Sequence, residues 1–454
     1  MNDISAIQHL YWRAGFGLSP EEQQARRDWT RRQAIEDLFS QAAIAKPLDE
    51  AASPDYSENM MSSASAQEKR KMELKLVGAI NYEWVKRMAN PAESALLERM
   101  TFFWHDHFAC ETKFSLLATR QLNTLRKYSL GSFKDLVLAI ARDPAMIRYL
   151  NNQQNRKLKP NENFARELME LFTIGRGSYT ERDIKEAARA FTGWSSNKEG
   201  EYVFRARQHD YGEKTFMGQT RDFNGEDIID ILLQQKETAQ FICRKIYAYF
   251  VNEQVDEARV NALANDFRST DYDISQLMRQ IFSSDWFYAP ENVGNRIKSP
   301  VEFMAGMMRQ LNVSEINPVG LIGMERALGQ ILLKPPNVAG WPGGRAWIDN
   351  STLLLRLNLA GALFQAAEIN FDLAPELEAD VKKKLKRLEA VMDLQPLMTL
   401  AGTGSGIDQL QQLAAFLLQV PLPPIGQRAR WVAATKKPAL MAVQLMSLPE
   451  YQLC

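Results

Sequence analysis

The stretch Lys71-Met72-Glu73-Leu74-Lys75-Leu76-Val77-Gly78-Ala79-Ile80-Asn81-Tyr82-Glu83-Trp84-Val85-Lys86-Arg87-Met88-Ala89-Asn90-Pro91 decides how the rest of the chain is read. Leu74, Leu76, Ile80, Trp84 and Met88 share one side of a helix with 3.6 residues per turn, which predicts a long helix over 65–89. Asn90-Pro91 ends it, because the residue before a proline is pushed out of the α region. A second set, Leu96, Leu97, Met100 and Phe103, predicts another helix running into Trp104-His105-Asp106-His107-Phe108.

The same periodicity recurs on both sides of this pair. Ser19-Pro20-Glu21-Glu22 reads as an N-cap, a proline in the first turn and acids that complement the helix dipole. Further helices are expected near 115–129, 133–141, 161–174, 181–192, 225–234, 237–251, 272–283, 299–311, 321–333, 351–367, 378–393, 408–419 and 436–447. Strand signal is confined to 201–206 and 214–217, expected to pair across Asp210-Tyr211-Gly212-Glu213 as one hairpin. The expected fold is mainly α: a large multi-helix body over 1–367 with a small β-hairpin insertion, and a C-terminal helical subdomain over 368–454. Residues 48–66 read as an exposed loop, and Lys382, Lys383, Lys384, Lys386 and Arg387 as a solvated helix face.

Composition bounds the function. In 454 residues, 45% are hydrophobic and 24% charged, so a large core can form and disorder is excluded as the dominant state. Lysine plus arginine number 55 and aspartate plus glutamate also 55, which gives no electrostatic reason to expect nucleic acid or an anionic membrane. No apolar run approaches the roughly 20 residues that span a bilayer. The start, Met1-Asn2-Asp3-Ile4-Ser5, has neither a basic nor an apolar leader region, so a cytoplasmic location is expected unless a leader has been removed. Cys110, Cys243 and Cys454 are too few and too scattered for a disulfide framework.

Four histidines stand in the chain, and three of them lie beside carboxylates. His105 and His107 flank Asp106; two residues apart on a helix, they point about 200° from each other, so they share an ion only where the helix ends. Glu167 and Glu170, in Asn161-Glu162-Asn163-Phe164-Ala165-Arg166-Glu167-Leu168-Met169-Glu170-Leu171-Phe172-Thr173-Ile174-Gly175, can present two carboxylates to one metal, or can simply sit in water with Glu162–Arg166–Glu170 ion pairs. His209, Asp210 and Lys214 share a loop with Arg205 and Arg207, which suits either a base with an anionic substrate group or a plain turn. Pro335-Pro336 through Trp347 is a rigid loop whose Trp341 and Trp347 read as a pocket wall or a packed plug.

In these motifs the chain resembles the bacterial "domain of unknown function 1800" proteins nearly end to end. The resemblance runs from Arg13-Ala14-Gly15-Phe16-Gly17 through Phe103–Phe108, Asn161–Leu171, Ala187-Ala188-Arg189-Ala190-Phe191-Thr192-Gly193-Trp194, His209-Asp210 with Lys214 and Pro336–Trp347, to Ser447-Leu448-Pro449-Glu450-Tyr451. It implies that the polar clusters belong to one common site, and it implies no particular chemistry. It also implies export for many relatives, often by a twin-arginine leader that this chain does not show, and a histidine in many of them where this chain has Phe172.

The leading expectation is a metal-dependent enzyme, a hydrolase or an Fe-dependent oxidoreductase. Its metal would be Zn, Mn or Fe held by His105, His107, Glu167 and Glu170, with Arg166, His209, Asp210 and Lys214 catalytic. Arg205, Arg207, Trp341 and Trp347 are expected to bind a small-molecule or polymer substrate. Arg166 and Glu170 are expected to be largely buried, with Glu170 turned toward the histidines. The alternatives are a metal-free binding or scaffold protein held by buried ion-pair networks, and metal-free acid–base chemistry with His209 as base.

Overall fold

The computed structural model describes residues 3–48, 65–366, 388–422 and 437–454. It is mainly α, and its described strands form three two-stranded antiparallel sheets. The helices that frame the site are α1 (Asp3–Arg13), α2 (Ala66–Ala89), α3 (Ala95–His107), α4 (Ser115–Tyr128), α5 (Asn163–Glu167), α6 (Glu181–Ala190), α7 (Lys236–Phe250), α8 (Pro300–Gln310), α9 (Pro318–Leu328) and α10 (Asn350–Ala366).

Local signals set their ends. Ser65 and Glu68 form a reciprocal capping box at the start of α2, and Asn90 is its C-cap. The core begins at Ile80, with Trp84 and Met88 also buried; Leu74 is exposed, so the expected apolar stripe is buried only along its second half. Helix α3 is buried at every position except Asp106, which makes it the central helix of the fold. Each charge on it therefore has to find a partner. Glu98 accepts from Trp84 Nε1 at 2.9 Å and is paired with Arg126 of α4.

The segment expected as one helix over 161–174 changes character midway. After α5 it continues as a π-turn over Leu168–Thr173, in which Thr173 Oγ1 donates to Leu168 O at 2.6 Å, and it ends at Gly175 with φ +77°. A wider turn shifts the faces of the helix. The turn also leaves its last carbonyls, those of Leu171 and Phe172, available to side chains from elsewhere.

Two sequence expectations give way here. Residues 201–206 do not pair with 214–217. Instead β1 (Trp194–Ser196) pairs with β2 (Tyr202–Phe204), and β3 (Lys214–Phe216) pairs with β4 (Gln219–Arg221). The second hairpin closes through Met217-Gly218, both at positive φ, a tight turn whose twist suits a hairpin better than a crossing over the longer loop. Of the helix expected near 378–393, residues 378–387 and the basic run Lys382–Arg387 lie outside the described residues. Residues 390–392 form β6 (Ala390–Met392), antiparallel to β5 (Val313–Ile316). Residues 49–64 of the expected exposed loop also lie outside. No helix among the described residues is long and apolar enough to cross a membrane.

Behind the site, Glu325 of α9 is buried, accepts from Asn81 Nδ2 at 2.6 Å, and is pushed up to about 8 by burial. Asn81 also donates to Leu332 O. The next residue, Leu333, at φ +62°, donates its N–H to His105 Nε2 at 3.1 Å.

Candidate functional site

A cavity of about 340 Å³ opens where the end of α3, the middle of α7, the start of α8 and the 339–347 loop meet. Its wall carries Asp106, His107, Lys245, Tyr249, Trp341 and Trp347, and its floor Arg296, Ser299 and Glu302.

His107, the last residue of α3, reaches the π-turn. Its Nε2 lies 3.0 Å from Phe172 O, and a carbonyl can only accept, so Nε2 carries the hydrogen and Nδ1 is left as an acceptor. Burial, with the charge of Lys245 adding to it, holds this imidazole well below its ordinary range, hence neutral. Lys245 Nζ is 3.2 Å from His107 Nδ1 and 3.3 Å from Leu171 O. Burial lowers Lys245 to about 8, opposed by the negative field of Asp106. Asp106 is raised to about 6 by burial, against the N–H of Trp341 and the charge of Lys245. The carboxyl and the amine on one wall are thus both moved toward neutrality, the arrangement that lets a pair exchange protons near pH 7.

The tryptophan loop fixes Asp106. Trp341 N donates to Asp106 Oδ1 at 2.8 Å. Gly340, at φ +83°, passes so close that a Cβ there would lie 2.6 Å from Asp106 O and closer still to Oδ1. Only glycine fits that approach.

Under the cavity lies a buried charge network. Glu302, 1% exposed, is paired with both Arg99 and Arg296 and accepts Ser299 N at 2.8 Å in the capping box of α8. Burial opposes its charge, but Arg296 and Arg99 outweigh that and hold it far below the ordinary carboxylate range. Arg99 and Arg296 also face the ring of Tyr249, at 4.8 and 5.0 Å from its centroid. Arg13, Lys298 and Arg356 are buried in the same network. Lys298 lies 3.7 Å from the Trp12 centroid and donates to Tyr451 O at 2.7 Å. Four buried guanidinium groups, and Lys298, whose amine burial lowers to about 7, therefore surround one buried carboxylate. Many of the donors have no partner. Arg99 meets Glu302 as an ion pair outside hydrogen-bond angles. Among the described residues, buried guanidinium nitrogens of Arg13, Arg99, Arg296 and Arg356, and the hydroxyl of Tyr249, have no hydrogen-bond partner.

The residues expected from the sequence are distributed over several places. His107, Trp341 and Trp347 line the cavity. His105 is turned the other way, between Trp84 and Trp341, with Nε2 engaged by Leu333; burial lowers it to about 4. Arg166 is not buried: its side chain is 34% exposed and bridges Glu162 and Glu181. Glu170 is mostly covered, but its partner is the exposed Arg176 and not a histidine, because the π-turn carries it off the expected face. Glu167 stands beside it, its carboxyl raised by burial and by Glu170. His209 Nδ1 lies 2.8 Å from Thr192 O, with its ring between Phe204 and Tyr211. Asp210 is paired with Arg189, and Lys214 with Asp222 at 2.6 Å. Arg205 and Arg207 are exposed. Among the described residues, no group of three or more His, Cys, Asp or Glu is placed to hold a metal ion.

Sequence reasoning passed over Lys245, Tyr249, Arg99, Arg296 and Glu302, and gave Asp106 no role. One signal was present: Arg296-Ile297-Lys298-Ser299-Pro300-Val301-Glu302 sets two cations directly before a capping box. Lys245 and Tyr249, one helical turn apart, carry no mark beyond that spacing.

Compared with known proteins, residues 9–453 match the family described as "Protein of unknown function (DUF1800)". No curated protein and no solved structure matches the chain.

Proposed function

We propose that this chain, which belongs to the DUF1800 family of proteins of unknown function, binds a small anionic molecule in the Asp106–Lys245 cavity and transforms it by metal-free proton transfer. The observation that carries the reading is a pair of buried donors without hydrogen-bond partners, Arg296 Nε and the Tyr249 hydroxyl, on residues that line a cavity whose wall holds the acid–base pair. A buried donor left unsatisfied is costly, and an anion entering from the cavity would supply acceptors for both. Asp106 and Lys245 then stand beside the bound molecule, while Trp341 and Trp347 narrow the space open to water.

The Zn, Mn or Fe enzyme expected from the histidines needs its ligands drawn to one point. The donors here are engaged separately, so no step is routed through a metal. A second reading is a binding or scaffold protein whose charges serve folding alone, which the Glu98–Arg126 and Glu302–Arg99–Arg296 pairs favour.

Tyr249→Phe separates the two. Its hydroxyl makes no hydrogen bond in the unliganded protein, so its removal leaves stability nearly unchanged. Calorimetry with phosphate, citrate and pyruvate, against chloride at equal ionic strength, should detect saturable binding to the wild type. Tyr249→Phe should weaken it about tenfold, as loss of a hydrogen bond to a charged group does. Absence of binding would leave the scaffold reading, and equal binding by both proteins would place the anion elsewhere than in this cavity.

A further inference from the structure

We infer that Lys245 is a nucleophile that forms an imine with a small carbonyl compound carrying an anionic group. This rests on the reading of the cavity as an anion site and names its substrate class.

Among the described residues Lys245 Nζ has two acceptors, His107 Nδ1 at 3.2 Å and Leu171 O at 3.3 Å. A neutral amine has two N–H groups. Both are used, and the lone pair is left for the cavity that Lys245 lines. An ammonium would carry a third N–H, for which the described residues offer no oxygen or nitrogen acceptor but only the ring face of Phe241, 5.0 Å from Nζ to its centroid. The two acceptors exist for definite reasons: His107 Nδ1 is unprotonated because Nε2 donates to Phe172 O, and Leu171 O is released by the π-turn. The amine is therefore held as a nucleophile must be, desolvated and aimed.

The neighbours match the rest of the reaction. Asp106, raised by burial to about 6, can give up a proton on the same wall. Tyr249, one turn along α7, and Arg296 beside it lie where the anionic group of the same molecule would bind. The cavity of about 340 Å³ suits a molecule of this size.

In the step itself, the Nζ lone pair attacks the carbonyl carbon and the C=O π pair moves to oxygen. That oxygen receives one proton from the attacking nitrogen and one from the Asp106 carboxyl, and it leaves as water as the C=N bond forms. The nitrogen keeps one hydrogen as an iminium, and Asp106 becomes a carboxylate beside it. Nothing is oxidised or reduced.

Borohydride trapping tests this on the full-length protein at pH 7, with pyruvate, dihydroxyacetone phosphate or acetone as the carbonyl, followed by peptide mapping. The iminium accepts hydride at carbon and becomes a stable secondary amine. At that pH, Lys245 has on the order of 100-fold more neutral amine than a surface lysine. The expected result is labelling concentrated on Lys245 by at least about tenfold, given by one or both anionic carbonyls and weakly by acetone. It should be lost in Lys245→Arg and slowed about 100-fold in Asp106→Asn. The anionic carbonyl that labels identifies its source, oxo acid or sugar phosphate. Equal labelling by acetone would overturn the anionic part of the inference. Adducts spread over many lysines would overturn the imine. If pyruvate binds by calorimetry but none of the carbonyls is trapped, the anion site stands and the nucleophile falls; if nothing binds and nothing is trapped, both fall.

Discussion

Glu302→Gln should lose about 3–5 kcal/mol of stability, the usual cost of removing one partner from a buried ion pair. The substitution keeps the shape and leaves Arg99 and Arg296 buried without their common carboxylate. Arg13 and Arg356 would then repel them without the Glu302 carboxylate between. The effect is also pH-dependent, with a definite sign. The folded state holds Glu302 below its ordinary value of 4.5, so its contribution is complete above about 4.5 and is lost as pH falls. Chemical denaturation at pH 7 and again at pH 3.5 should show the gap between wild type and Glu302→Gln narrowing at the lower pH. A difference below about 1 kcal/mol at pH 7, the range of an exposed pair, would mean that the network is not organised as described.

Gly340→Ala should be nearly as damaging to the site, and by another route. The new Cβ would meet the main-chain oxygen of Asp106 at 2.6 Å, and backbone inside a buried helix cannot move aside cheaply. Position 340 is also at φ +83°, a conformation that costs a non-glycine residue about 1–2 kcal/mol by itself. The loop would have to lift, breaking the Trp341 N–Asp106 hydrogen bond and opening the wall beside Lys245. Gly323→Ala is the internal control, since nothing lies within 4 Å of a Cβ there and it stands within α9, away from the cavity. The expected result is a loss of anion affinity and of several degrees in Tm for Gly340→Ala, with Gly323→Ala close to wild type. Equal behaviour of the two would contradict the role given to the loop.

How much of this the sequence discloses depends on how local the cause is. Helix ends set by a cap are legible: Ser65 and Asn90 bound α2, and Ser299-Pro300 starts α8, because the partners lie within four residues. The helix Glu257–Ser269 is not among the expected helices, although Val260, Leu263, Ala264 and Phe267 fall on its buried side. The π-turn was not, since its freed carbonyls are met by His107 and Lys245, about 65 and 74 residues away along the chain. Of the histidines, His107 lines the cavity, while His105 and His209 are engaged in local packing. An imidazole beside a carboxylate in sequence looks the same whether its ring meets a cavity or a backbone carbonyl. Lys245 was hidden for a similar reason. A lysine following Arg244 on an amphipathic helix reads as surface, and only the tertiary fold sets it against Asp106.

Competitive labelling of lysines with an amine-reactive acyl reagent, from pH 6 to 11 and with peptide-level quantification, decides whether Lys245 is a desolvated, titrating amine in an anion-binding cavity. Lys245 should titrate near 8, well apart from surface lysines near about 10.4, and the bound anion which gives the calorimetric signal should protect it. Titration of Lys245 together with the surface lysines, and no protection by any anion, would contradict that assignment.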